Sequence, residues 1–146
     1  MLFENDYDQP QSIKSLVHET IGCAVLDCGA AKSVCGQYWL NSYLDLLKEN
    51  DLKQVKYSSS SNTYKFGYGN SIKATKSVKL PIYLGSKKVQ LQTDVVEKDI
   101  PLLFSRMSMK RGKAQLDTHK DIATILGEKN TSTNHIYRPL CNPFMQ

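Results

Sequence analysis

Val25-Leu26-Asp27-Cys28-Gly29-Ala30-Ala31 is the stretch on which the reading of this chain turns. An acid follows the apolar run Cys23-Ala24-Val25-Leu26 and is followed at once by a small residue and a glycine. A charge at the end of a buried strand is costly unless its neighbours satisfy it. Gly29 lets the backbone turn tightly there and present amides to the carboxylate of Asp27. A carboxylate so placed is suited to holding a water beside a carbonyl carbon. The same residues also describe a strand that simply ends in an Asp turn, and so short a motif does not separate the two readings.

The chain has 146 residues, enough for one domain with one core. Its formal net charge is +5, which raises the question of a nucleic-acid partner. The basic residues are scattered, however, and the densest group is only Lys110, Arg111 and Lys113. The excess therefore reads as a solvated surface, and nucleic acid is not the expected partner. The cysteines are Cys23, Cys28, Cys35 and Cys141, with no Cys-x-x-Cys pair and no His at zinc-finger spacing. No metal and no cofactor is expected. Met1 to Pro10 is acidic and polar, unlike a secretory signal. No apolar run approaches the roughly 20 residues that span a bilayer, so no membrane role is expected. An intracellular, cytoplasmic setting with reduced thiols follows as the default, with Cys23 and Cys35 as small buried hydrophobes.

Along the chain, residues 1–14 read as an N-terminal arm, with a first strand over Ile13–Thr20 entering the domain. Beyond the Asp27 turn a helix is predicted from Gln37 to about Glu49, because Trp39, Leu40, Tyr43, Leu44 and Leu47 recur at three- and four-residue steps. Trp39 is then core rather than a base-stacking platform. Ser58 to Asn62 reads as a surface loop. Tyr64-Lys65-Phe66 runs into Gly67-Tyr68-Gly69-Asn70, which has the composition of a hairpin tip. Ser77–Leu84 and Lys87–Val96 are two strands joined at Gly85-Ser86. In the second, Val89, Leu91, Thr93 and Val95 share one face, and Lys88, Gln90, Gln92 and Asp94 the other. Asp99–Phe104 is a short apolar strand, and Ser105 is placed to cap a helical turn over Arg106–Arg111. Lys113–Leu116 and Ile122–Leu126 flank a last turn. Residues 128–146, polar and with two prolines, read as a C-terminal tail or linker.

Three separated segments, in this order, resemble the retropepsin-like aspartic proteases of retroviruses and retrotransposons, over roughly residues 15–127. Ala24 to Ala30 is similar to that family's apolar-apolar-Asp-Ser/Thr-Gly-Ala motif. Phe66-Gly67-Tyr68-Gly69 stands where the family has its glycine-rich flap tip. Ile100-Pro101-Leu102-Leu103-Phe104-Ser105-Arg106 is similar to its second apolar strand, which enters a short helix through Gly-Arg. Val34-Cys35-Gly36, Trp39-Leu40 and Tyr43 after the turn look most like metazoan retrotransposon polyproteins.

The resemblance implies an all-β, closed barrel-like subunit with one or two short helices. It also implies an aspartic endopeptidase that cleaves a polyprotein. The chain offers a single Asp-small-Gly turn, since Asp117-Thr118-His119 lacks the glycine, so two carboxylates require a homodimer with one Asp27 from each subunit. Cys28, Gly29 and Ala30 then form the active-site loop, Phe66 to Gly69 the substrate-binding flap, and Arg106 a structural support buried against the active-site turn or the neighbouring subunit. The substrate is a polypeptide in extended form. Two positions depart from the pattern. Cys28 stands where the family has a Ser or Thr whose hydroxyl braces the two loops, and a thiol is the poorer hydrogen-bonding group. Ser105 stands where a Gly commonly precedes the Arg, and fits only at negative φ. The alternative is therefore a domain of the same fold, catalytically weakened or inactive, that dimerises or binds partners. A cysteine protease is disfavoured, because His18, His119 and His135 have no partner at a recognisable spacing and a neighbouring carboxylate raises a thiol's pKa.

Overall fold

The computed structural model describes residues 21–133 and 136–137. Within them the chain is mostly strand, with three short helices. The strands are β1 (Ala24–Leu26), β2 (Val34–Gly36), β3 (Lys56–Ser58), β4 (Thr63–Lys65), β5 (Ser71–Lys73), β6 (Lys76–Leu84), β7 (Lys87–Val96), β8 (Leu103–Phe104), β9 (Gln115–Asp117), β10 (Ile122–Ile125), β11 (Glu128–Thr133) and β12 (Ile136–Tyr137). The helices are α1 (Gln37–Leu46), α2 (Glu49–Leu52) and α3 (Arg106–Arg111).

Among the described residues ten strands form one sheet in the order β3-β6-β7-β2-β8-β1-β12-β11-β10-β9, and β4 pairs only with β5. The long β6–β7 hairpin turns at Gly85-Ser86, with Leu84 opposite Lys87, as the alternation of its residues predicts. Its inner face places Val78, Leu80, Ile82, Leu91 and Val95 in the main core. There they meet Trp39, Leu40 and Tyr43 of α1, and Trp39 and Tyr43 stack at 5.0 Å. The Tyr43 hydroxyl donates to the carbonyl of Pro81 at 2.8 Å, giving a deeply buried polar atom its partner.

Three expectations need correction. Among the described residues the sheet does not close into a barrel. β3 and β9 end it on opposite sides, both three-residue strands exposed along their length, and no ladder joins them. The predicted single helix from Gln37 to Glu49 is broken. Leu47 turns extended (φ −80°, ψ 142°) to enter the core, and the chain restarts as α2. Residues 128–146 are not a tail throughout, because β11 pairs with β10 and β12 with β1. The arm over 1–14, the strand expected over Ile13–Thr20 and residues 138–146 lie outside the described residues.

Candidate functional site

β1 is the strand that carries Asp27, and its neighbours explain its position. It runs parallel to β8, with Val25 opposite Leu103 and Leu26 opposite Phe104, and antiparallel to β12 on its other side. A strand in the middle of a sheet has neighbours on both sides, and Ala24 and Leu26 are buried with Val25 half-buried between them, which accounts for the apolar run before the acid. The ladder continues one step past the strand, because the amide of Asp27 donates to the carbonyl of Phe104 at 3.1 Å. Asp27 itself is half-buried.

The loop then folds back on the carboxylate. The amide of Gly29 donates to Asp27 Oδ1 at 2.9 Å, and that of Ala30 to the Asp27 carbonyl at 3.2 Å. A Cβ on residue 29 would lie 3.3 Å from that same Oδ1, so glycine serves here by allowing close approach. Cys28 and Gly29 are exposed, and Ala30 is half-buried. Behind the loop sits a serine cluster. Ser33 Oγ accepts from the amide of Ser105 at 3.0 Å and lies 3.2 Å from Ser108 Oγ. Ser105 caps α3 by accepting from the Ser108 amide at 3.1 Å. Its φ of −71° is one that any residue adopts, so serine fits there without strain.

The burial expected for Arg106, against the Asp27 turn or a neighbouring subunit, is not reached within one chain. Its side chain is exposed within this chain, at the first position of α3, while its amide donates to the carbonyl of Ala30 at 2.9 Å. Contact with the Asp27 loop is thus made by backbone. Phe66 to Asn70 form the tip of the β4–β5 hairpin, with Gly67 at φ +65° and Tyr68 fully exposed. Tyr64, Phe66 and Ile72 of this hairpin pack on a second apolar cluster, Val34, Ala74, Val96 and Ile100. Lys98 lies over the Phe66 ring at 5.3 Å. Leu103 joins that cluster, and Val25, its partner across the ladder, points to the same side.

Asp94 is the residue that the sequence reading passed over. Alternation puts it on the outer face of β7 with Lys88, Gln90 and Gln92, yet it is only 6% exposed. The second cluster and the hairpin cover that end of the face, where Val34 stands opposite Asp94. Its Oδ2 accepts from Asn62 Nδ2 at 2.7 Å and from the Tyr64 hydroxyl at 2.5 Å. Burial, together with this carboxylate, pushes the Tyr64 phenol well above its ordinary pKa. On the other face, burial raises the Cys35 thiol to about 12, so it is inert, whereas Cys28 is exposed. The signal available in the sequence was a lone acid followed by two valines, a charge in apolar company that needs donors.

Among the described residues no cluster of His, Cys, Asp and Glu could hold a metal ion, and no helix is long and apolar enough to cross a membrane. No protein-family model matches the chain, and no curated protein matches it by sequence. Among solved structures it is similar to the retroviral protease-like domain of Ddi1 from Leishmania major. The identity is 16%, the match covers 70% of this chain and 76% of that one, and the TM-score is 0.47. At that level the likeness does not bear on function, which rests on the geometry of the chain itself.

Proposed function

We propose that this chain is an aspartic endopeptidase of the retropepsin type, active as a homodimer, whose substrate is an extended segment of a retrotransposon polyprotein. The observation that carries the reading is the Asp27 loop: a half-buried carboxylate at the end of a central strand, with the Gly29 amide 2.9 Å from its Oδ1. The separate hairpin with its Phe66–Asn70 tip supports it as a lid over bound substrate. Two Asp27 carboxylates around one water cannot both ionise at close range, so the pair shares a proton. The ionised member takes a proton from the water as its oxygen attacks the scissile carbonyl carbon. The protonated member donates to the carbonyl oxygen. Collapse of the tetrahedral intermediate then expels the amine, which leaves with a proton from the pair.

The exposed Cys28 favours a second reading, a dimerising or binding domain that has lost most catalysis. Cleavage of a mixed peptide library at mildly acidic pH, read by mass spectrometry, separates the two. Asp27-dependent cleavage, absent in Asp27→Asn and blocked by a statine-type inhibitor, is expected of the protease. If the folded wild-type dimer is silent and Cys28→Thr restores cleavage, the chain is a weakened enzyme. Silence in both variants refutes the protease reading, and so does an active species that sediments as a monomer.

A further inference from the structure

We propose that Asp94 is a positioning residue that latches the flap hairpin onto the body of the domain. What the latch is for rests on the protease reading; the latch itself does not. Among the described residues the β4–β5 hairpin shares no ladder with the ten-stranded sheet. A lone two-stranded hairpin is marginally stable in water, so its pose depends on what its side chains grip. One grip is apolar, through Tyr64, Phe66 and Ile72 on the second cluster. The other is Asp94.

The Asp94 carboxylate takes two donors, and both come from the flap's first strand and the residues leading into it. Tyr64 belongs to β4, and Asn62 immediately precedes that strand. Asn62 also closes the base of the hairpin, its carbonyl accepting from the Ala74 amide at 2.9 Å. Its Oδ1 accepts from Lys32 Nζ at 3.0 Å. The backbone of Asp94 faces the other way: its amide donates to the Ser33 carbonyl at 3.0 Å. Lys32 and Ser33 both lie between Asp27 and β2. One residue thus holds the flap by its side chain and the Asp27 loop by its main chain. Bonds to a carboxylate are stronger than neutral ones, yet water can replace them when the hairpin lifts. That combination makes a latch that opens rather than a permanent tie.

The test is hydrogen exchange by mass spectrometry on the full chain, comparing peptides over 63–73 with those over 76–96, in Tyr64→Phe, Asn62→Ala and Asp94→Asn. Loss of one charge-assisted bond is expected to speed flap exchange about tenfold or more while β6–β7 is unchanged. Tyr64→Phe combined with Asp94→Asn should add little to Asp94→Asn alone, because the two act through one contact. In the cleavage assay the same variants should lower kcat/KM about tenfold, with kcat and KM moving together, as a loosened lid predicts. Unchanged flap exchange in all three variants overturns the proposal. Acceleration spread evenly over both regions does so too, since that reports a purely structural role. A wild type without Asp27-dependent cleavage overturns the protease reading, and the exchange data still decide the latch.

Discussion

Gly36→Ala tests whether the chain around the Asp27 loop is as tightly packed as it looks. Gly36 closes β2 and opens α1 at φ −81°, a conformation that alanine adopts freely, so no backbone strain enters. The penalty is steric. A Cβ there would sit 2.1 Å from the Lys98 carbonyl oxygen and 2.9 Å from both N and O of Ile100, where real Cβ contacts do not fall below 3.0 Å. The neighbours are all backbone and are pinned: the Gly36 amide donates to the Ile100 carbonyl at 3.1 Å, and Gly36 pairs with Val96. Parting the segments should cost about 3 kcal/mol, the upper end of the overpacking range. Weakening the Gly36–Ile100 hydrogen bond adds about 1 kcal/mol. The smaller entropy of the unfolded alanine chain returns roughly 0.4–1 kcal/mol. The net is about 3 kcal/mol, which lowers a urea midpoint by about 1–3 M at the slopes usual for small proteins. Measured at one fixed protein concentration, a midpoint within a few tenths of a molar of wild type would show that the 98–100 segment yields freely and refute the argument.

Other outcomes follow from single contacts. Ser105→Ala removes the α3 cap and a partner of Ser108, and should cost about 1–2 kcal/mol, seen as a melting temperature lower by about 3–7 °C. Iodoacetamide at pH 8 should spare buried Cys23 and Cys35 until denaturant is added, as read by peptide mass spectrometry. Stability should fall in alkali. Cys35 is raised from 9.0 to about 12, so its contribution is complete below pH 9 and drains away as pH climbs toward 12. Tyr64 and Tyr83 are raised by burial first, and Lys88 by its hydrogen bond to Asp51, so all three act with the same sign. Equal urea midpoints at pH 8 and pH 11 would contradict this.

Much of the fold was legible where side chains follow a simple period. The β6–β7 hairpin alternates cleanly and turns at its glycine, and Ser105 stands one residue before a helix whose third amide it meets. The strand before Asp27 was legible from its apolar run. What escaped was set by partners distant in sequence. Glu128–Thr133 has no apolar alternation of its own and becomes a strand because Ile122–Ile125 pairs with it. Leu47 belongs to the helical stripe by spacing, yet its burial is reached in an extended conformation. Asp94 carried the polar face of a strand in sequence, and only the hairpin folded over it makes that face an interior.

The position of β1 also makes assembly of the Asp27 environment a matter of timing. Its two ladder partners, β8 and β12, are made long after it during synthesis, and the Asp27 amide has no place in the ladder until Phe104 exists. Contacts so far apart in sequence form slowly, after the chain has met the entropy of closing long loops. A nascent polypeptide therefore displays the acid well before it displays the site. Any chemistry at Asp27 is withheld until nearly the whole domain has left the ribosome and folded.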